Sequence, residues 1–191
     1  MFGWCIIGVF LTENERKEVD EHMELQILDW IQTLHRPFLD SCMVFITQLG
    51  NMGFVWFALA LILCAYPKTR KVGILMMITM VLDVVLSEGL LKHIFQRVRP
   101  CNVNTDIPLL ISRPKGYSFP SGHTSLSFAA VSILYFMHEK KASVIALILA
   151  CLIAFSRLYL YVHYPTDVMA GIFVGVFCGY IIYKIKGVYL Q

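Results

Sequence analysis

Three short stretches of the 191-residue chain gather side chains able to hold an anion and move protons. The first is Lys92-His93-Ile94-Phe95-Gln96-Arg97-Val98-Arg99-Pro100. The second is Pro120-Ser121-Gly122-His123, and the third holds Ser156 and Arg157, then His163 and Asp167. Lys92, Arg99 and Arg157 supply three cations. Arginine offers a planar fork of donors that matches phosphate, and lysine adds a point charge. Ser121 and Gly122 lie where a loop enters a helix, and the free amides and dipole of a helix start favour an anion. These residues together make a phosphate cradle. His123 and His163 allow two proton or bonding roles. Asp167 follows His163 by four residues, and Pro165 between them suits the first turn of a helix, so the carboxylate can fold back onto the imidazole. A carboxylate on one ring nitrogen fixes the tautomer and leaves the other nitrogen nucleophilic.

Neighbouring polar residues read differently. Arg97 reads as a membrane-edge arginine snorkelling to the headgroups. His93 adjoins Lys92 but points about 100° away on a helix, and His22, His35 and His138 read as ordinary interfacial histidines. Glu88 lies one turn before Lys92, a spacing at which the two side chains meet; it would hold the ammonium toward the phosphate. Asp83, deeper in the same apolar stretch, needs a partner or a proton. The six cysteines (5, 42, 64, 101, 151 and 178) form no C-x-x-C pair and read as small core hydrophobes, apart from Cys101 in a polar loop.

Lys-x6-Arg-Pro, Pro-Ser-Gly-His and Ser-Arg-x5-His-x3-Asp, in that order over residues 92–167, resemble the tripartite signature of the type 2 phosphatidic acid phosphatase superfamily, which shares its site with vanadium haloperoxidases. The match holds at every signature position. By position, the resemblance implies that His163 attacks phosphorus to form a phosphohistidine, that Asp167 orients it, and that His123 protonates the leaving oxygen and then activates water. Lys92, Arg99, Ser121, Gly122 and Arg157 would bind the phosphoryl oxygens, with Ser156 and Pro120 supporting them and Glu88 added from its spacing. The resemblance implies no metal and no other cofactor. Three cations beside two histidines, with Asp167 the one close carboxylate, also suit a divalent ion poorly.

These residues must be positioned by elements built for a bilayer. The chain is 58% hydrophobic and 15% charged, with mean hydropathy +0.67, against about 25% charged in ordinary soluble domains. A disordered chain is excluded, and a net charge of +3 is too small to argue for a nucleic-acid partner. Val72–Phe95, Ser121–Met137, Ala142–Tyr161 and Val168–Tyr183 approach the roughly 20 apolar residues that a spanning helix needs. Asn51–Tyr66 makes a fifth span, short unless Thr47–Gly50 extends it. Met1–Thr12 is apolar but too short to cross, and lacks the basic start and cleavage site of a signal peptide. Glu13–Glu24 must sit in water or headgroups. Leu25, Ile27, Leu28, Trp30, Ile31 and Leu34 recur as in an interfacial helix, and Phe38–Gln48 either dips in or continues into the next span.

The expected fold is therefore an all-α polytopic membrane bundle of five to six spanning helices plus an N-terminal interfacial helix, one domain over residues 1–191. Lys68, Arg70 and Lys71, Lys140 and Lys141, and Lys184 and Lys186 fall on one side if five spans alternate. Basic loops stay cytoplasmic, so the signature residues face outward. Gly171, Gly175 and Gly179 form a small-residue stripe for close packing within the monomer; the oligomeric state stays open. The expected activity is hydrolysis of a lipid phosphate or pyrophosphate at the outer face. The compact form is most similar to bacterial lipid-carrier phosphatases of the bacitracin-resistance type, which points to undecaprenyl pyrophosphate. Phosphatidylglycerophosphate or phosphatidic acid is the alternative. A transporter or scramblase would need the cations but not the His163–Asp167 pair.

Overall fold

The computed structural model describes residues 13–189, all of whose regular structure is helical. Helix α1 covers Glu13–Gln32; α2 (Pro37–Gly50) and α3 (Phe54–Ala65) are joined by one tight turn, Asn51–Gly53. Helix α4 (Arg70–Val84) continues through a π-helical turn, Val85–Leu91, into α5 (Lys92–Phe95). A short α6 (Pro100–Val103) precedes a long loop, and α7 (Gly122–Phe136), α8 (Lys140–Tyr159) and α9 (Pro165–Tyr189) complete the chain. The expectation for Met1–Thr12 lies outside the described residues.

Among the described residues, Pro37–Ala65, Arg70–Val103, Lys140–Tyr159 and Pro165–Lys186 are long and apolar enough to cross a membrane. Their outward faces are apolar: Ile74, Ile78 and Val81 on α4, Ile145 and Ile148 on α8, and Phe173 on α9 are all exposed. Such surface suits lipid, where helices satisfy their own backbone hydrogen bonds. Helix α7 has fifteen residues, about 22 Å at the helical rise, and is enclosed by α4, α8 and α9. Every residue from Thr124 to Leu134 is buried.

Close helix contact is set by small residues. A Cβ on Gly171 would come within 2.8 Å of the Ser121 carbonyl oxygen, and one on Gly175 or Gly179 would collide with Ser125 or Ser132. The glycine stripe of α9 therefore packs on α7 inside the monomer. Polar ties cross the same core: the buried Trp56 indole N–H donates to Ser127 Oγ at 2.9 Å, and Ser125 donates to Asp83. Asp83 thus has its partner on α7, although its Oδ2 has none among the described residues.

The element boundaries are physically informative. Of the two courses open to Phe38–Gln48, the chain takes the second: it continues into the next span, one segment from Pro37 that bends at Met52 and Gly53, whose φ values are 50° and 69°. The final helix starts at Pro165, as its fitness for a first turn implied, three residues before the apolar stretch that begins at Val168. The charged stretch after Thr12 and the periodic Leu25–Leu34 segment merge into α1, up to Gln32. On α1, Leu28 and Ile31 bury against Tyr159, Leu160 and Tyr161, while Ile27 and Trp30 stay exposed. This helix is docked on protein along one face.

Candidate active site

The chain reverses sharply after α8, with Tyr161 in the left-handed region (φ 59°) and the Val162 N–H donating to the Arg157 carbonyl. That reversal sets His163 just before α9 and Asp167 in its first turn. His163 Nδ1 lies 3.4 Å from Asp167 Oδ2 and 3.4 Å from Ser118 Oγ. These are loose contacts of the kind that tighten as charge develops. Asp167 Oδ2 also accepts from the Ser118 hydroxyl and from the Tyr164 N–H at 2.9 Å. With the carboxylate beside Nδ1, the lone pair of His163 falls on Nε2, which accepts from Arg99 Nη1 at 3.1 Å. Arg99 also donates to the carbonyls of Val162 (3.0 Å) and Gly116 (3.1 Å). Burial, reinforced by Arg99 and Arg157 against the opposing pull of Asp167, pushes the His163 imidazole down to about 3. The ring is neutral at physiological pH.

The other two segments meet this one. Lys92 follows directly on the π-helical turn, where its N–H reaches back to the Ser87 carbonyl; such turns recur at functional sites. Its ammonium lies 2.7 Å from Glu88, whose carboxylate stands so close to Gly122 that an added Cβ there would push it aside. Arg157 is 3% exposed and donates to Thr47, while its Nε has no partner among the described residues. Lys92, Arg99 and Arg157 lie within electrostatic reach of one another, and the first two and Arg157 also act on His123, as does His163. Ser121 precedes α7 with no side chain capping the helix start; its N–H donates to the Asp167 carbonyl at 3.0 Å. His123 Nε2 lies 3.0 Å from Asn51 Oδ1. The ring lines a cleft of about 370 Å³ with Glu88, Gly122 and Gly50.

Pro120 is buried beside Ser121. Ser156 stays off the anion-facing surface, its hydroxyl donating to Ile153 in its own helix at 2.6 Å. His93 is exposed and meets Tyr117 edge-on at 6.3 Å. Cys101 is buried on α6 rather than lying in an open loop.

Arg97 overturns its reading as a lipid-edge side chain. It donates to Asp167 Oδ1 at 3.0 Å and to Thr166 Oγ1 at 2.7 Å, and pairs with Glu24. A usable signal existed: the helix stops at Phe95 and the backbone extends, so residues two apart share a side, and Arg97 accompanies Arg99 inward while Val98 stays exposed. Ser118, Asn51, Thr47, Thr166 and Glu24 were also missed. Their partners lie far away in sequence, and no local spacing marks them.

Comparison with known proteins agrees with this geometry. Residues 71–189 match the PAP2 superfamily. The chain is 32% identical over 148 residues to an undecaprenyl-diphosphatase from Sulfolobus acidocaldarius, covering 78% of this chain and 71% of that one. It is 33% identical over 186 residues to phosphatidylglycerophosphatase B from Bacillus subtilis, covering 90% and 85%. The crystal structure of a transmembrane PAP2-type phosphatidylglycerolphosphate phosphatase from Bacillus subtilis superposes with a TM-score of 0.76 at 28% identity, over 91% of this chain and 89% of that one. The multi-pass helical fold, the converging cations and the paired histidines have one common account: the chain belongs to the PAP2 superfamily and is a membrane lipid phosphatase.

Proposed function

We propose that the protein hydrolyses undecaprenyl pyrophosphate to undecaprenyl phosphate through a phosphohistidine on His163. The single observation that carries this reading is the His163 ring, buried between Asp167 on one nitrogen and Arg99 on the other. Incoming phosphoryl oxygens draw the Arg99 donor off Nε2, and the freed lone pair attacks phosphorus. The bond from phosphorus to the bridging oxygen breaks, and His123 gives that oxygen its proton. Water then attacks the phosphohistidine and passes a proton to His123; the P–N electron pair returns to Nε2 and inorganic phosphate leaves. Lys92, Arg99, Arg157 and the α7 start carry the phosphoryl charge, as expected where catalysis is mostly positioning and electrostatics. The unpaired Arg157 Nε is a donor ready for one more oxygen. Glu88 holds Lys92 toward that charge.

No metal enters these steps. Among the described residues no three His, Cys, Asp or Glu side chains group as ligands, and three cations already occupy the anion's surroundings. Turnover should persist in EDTA, and activity abolished by chelation and restored by zinc or magnesium would contradict the mechanism.

Five crossings account for the path: the bent α2–α3 segment, α4, the enclosed α7, α8 and α9, with α1 at the interface. Lys68, Arg70, Lys71, Lys140, Lys141, Lys184 and Lys186 lie at the helix ends away from the site, which supports an extracytoplasmic active site. A second reading, phosphatidylglycerophosphate as substrate, is favoured by the 90% coverage of the Bacillus subtilis relative. Phosphate release from undecaprenyl pyrophosphate, phosphatidylglycerophosphate and phosphatidic acid, with His163→Ala in parallel, decides between them. Equal or faster turnover of phosphatidylglycerophosphate would replace the first reading.

A further inference from the structure

Asp167 is fully buried, and its two oxygens serve different partners. Oδ2 faces His163, Ser118 and the Tyr164 N–H, whereas Oδ1 accepts from Arg97 at 3.0 Å. Arg97 lies on the Tyr164 ring, 3.8 Å from its centroid, and its other amino group pairs with Glu24 of α1. Glu24 is itself 8% exposed. Its Oε1 accepts from the Thr166 N–H at 2.8 Å and the Thr166 hydroxyl at 2.6 Å, so a carboxylate from one helix caps the start of another. A buried charge left unpaired is costly, and here three charges satisfy each other.

The sum of those charges matters for chemistry. Asp167 and Arg97 alone would be neutral. With Glu24 at the other amino group of Arg97, and the half-exposed Glu21 carboxylate 3.9 Å from its Nε, the group around Arg97 is net negative, and it stands behind the ring that becomes cationic when Nε2 is phosphorylated with Nδ1 protonated. We propose that Glu24 and Arg97 are positioning residues for Asp167: Arg97 fixes the carboxylate, and Glu24 restores the negative charge that stabilises the phosphorylated ring. The N-terminal helix is thereby part of the catalytic apparatus. This inference rests on the phosphohistidine reading above.

The test uses the full chain in detergent micelles, with Glu24→Gln, Arg97→Lys, the double variant and Asp167→Asn. The Gln change keeps the shape of Glu24 and removes its charge. Glu24→Gln should lower kcat on undecaprenyl pyrophosphate about 10- to 100-fold, the range seen when the supports of a ligating group are lost. The rapid-quench rate of phosphoenzyme formation should fall by the same factor. KM and the inhibition constant for inorganic phosphate should stay within about threefold, since binding is not what is removed. The double variant should be no slower than the slower single variant, as for residues acting as one unit. Unchanged kcat in Glu24→Gln overturns the inference. So does a loss of kcat accompanied by lost phosphate affinity and a lowered melting temperature, which marks a purely structural pin. Full turnover by Asp167→Asn sinks the phosphohistidine reading itself. An inactive Asp167→Asn beside a fully active Glu24→Gln sinks this inference alone.

Discussion

The surroundings of the two histidines are built on opposite plans. His163 is 2% exposed and touches Arg99, Asp167 and Ser118, three side chains drawn from three separate parts of the chain. His123 stands at the head of α7, open to a cleft, with Asn51 as its hydrogen-bond partner. A nucleophile gains from a fixed ring and a neutral lone pair, whereas a proton carrier must reach both leaving group and water. The contrast in surroundings is of the kind that the proposed roles, nucleophile for His163 and proton carrier for His123, would require.

Substitutions can break or sharpen that contrast. The largest effect is expected for His163→Ala, which removes the atom proposed to bond phosphorus. Phosphate release from a lipid pyrophosphate should fall at least about 10⁴-fold, with no acid-labile phosphoenzyme on rapid quench. His123→Asn should cost about 10²–10⁴-fold yet still accumulate phosphoenzyme, because the step it most impairs is hydrolysis of the intermediate. Equal effects on both steps would erase the distinction between the rings. Asn51→Ala removes one hydrogen bond, on the order of 1 kcal/mol, and should slow turnover about fivefold without affecting phosphoenzyme formation in His123→Asn.

The smallest effect concerns stability and pH. The folded His163 ring titrates at about 3, whereas an unfolded histidine titrates near 6.5. The unfolded chain therefore binds the extra proton first, and the contribution of the neutral buried ring is complete above about pH 6.5 and is lost as pH falls toward 3. The slope is at most about 1.4 kcal/mol per pH unit. Unfolding followed in detergent from pH 7.5 to 4.5 should show a shallower decline in His163→Gln than in the parent chain.

The catalytic signature was legible in the sequence because its members sit at fixed local spacings: four residues from His163 to Asp167, a helix start after Pro120. The rods were legible because lipid demands long apolar runs. What stayed hidden were contacts made across the fold. Glu24 reaches Thr166 and Arg97, and Thr47 reaches Arg157; no periodicity links such pairs. Arg97 was misread for a related reason, since a lone arginine near a membrane edge has a cheap alternative in the headgroups. Hydropathy records only the apolar body of α9; its polar first turn, which carries Asp167, was legible instead from Pro165.

The glycine stripe of α9 has a reach beyond its own contacts. Gly171, Gly175 and Gly179 set the separation of α9 from α7, and the two helices carry the Asp167 and Ser121 ends of the site, joined by a 3.0 Å bond. A bulky side chain at Gly175 would act as a wedge driven between two levers, opening the rim that it never touches. The width of the candidate site is thus gauged well below it, by the lack of side chains where α9 meets α7.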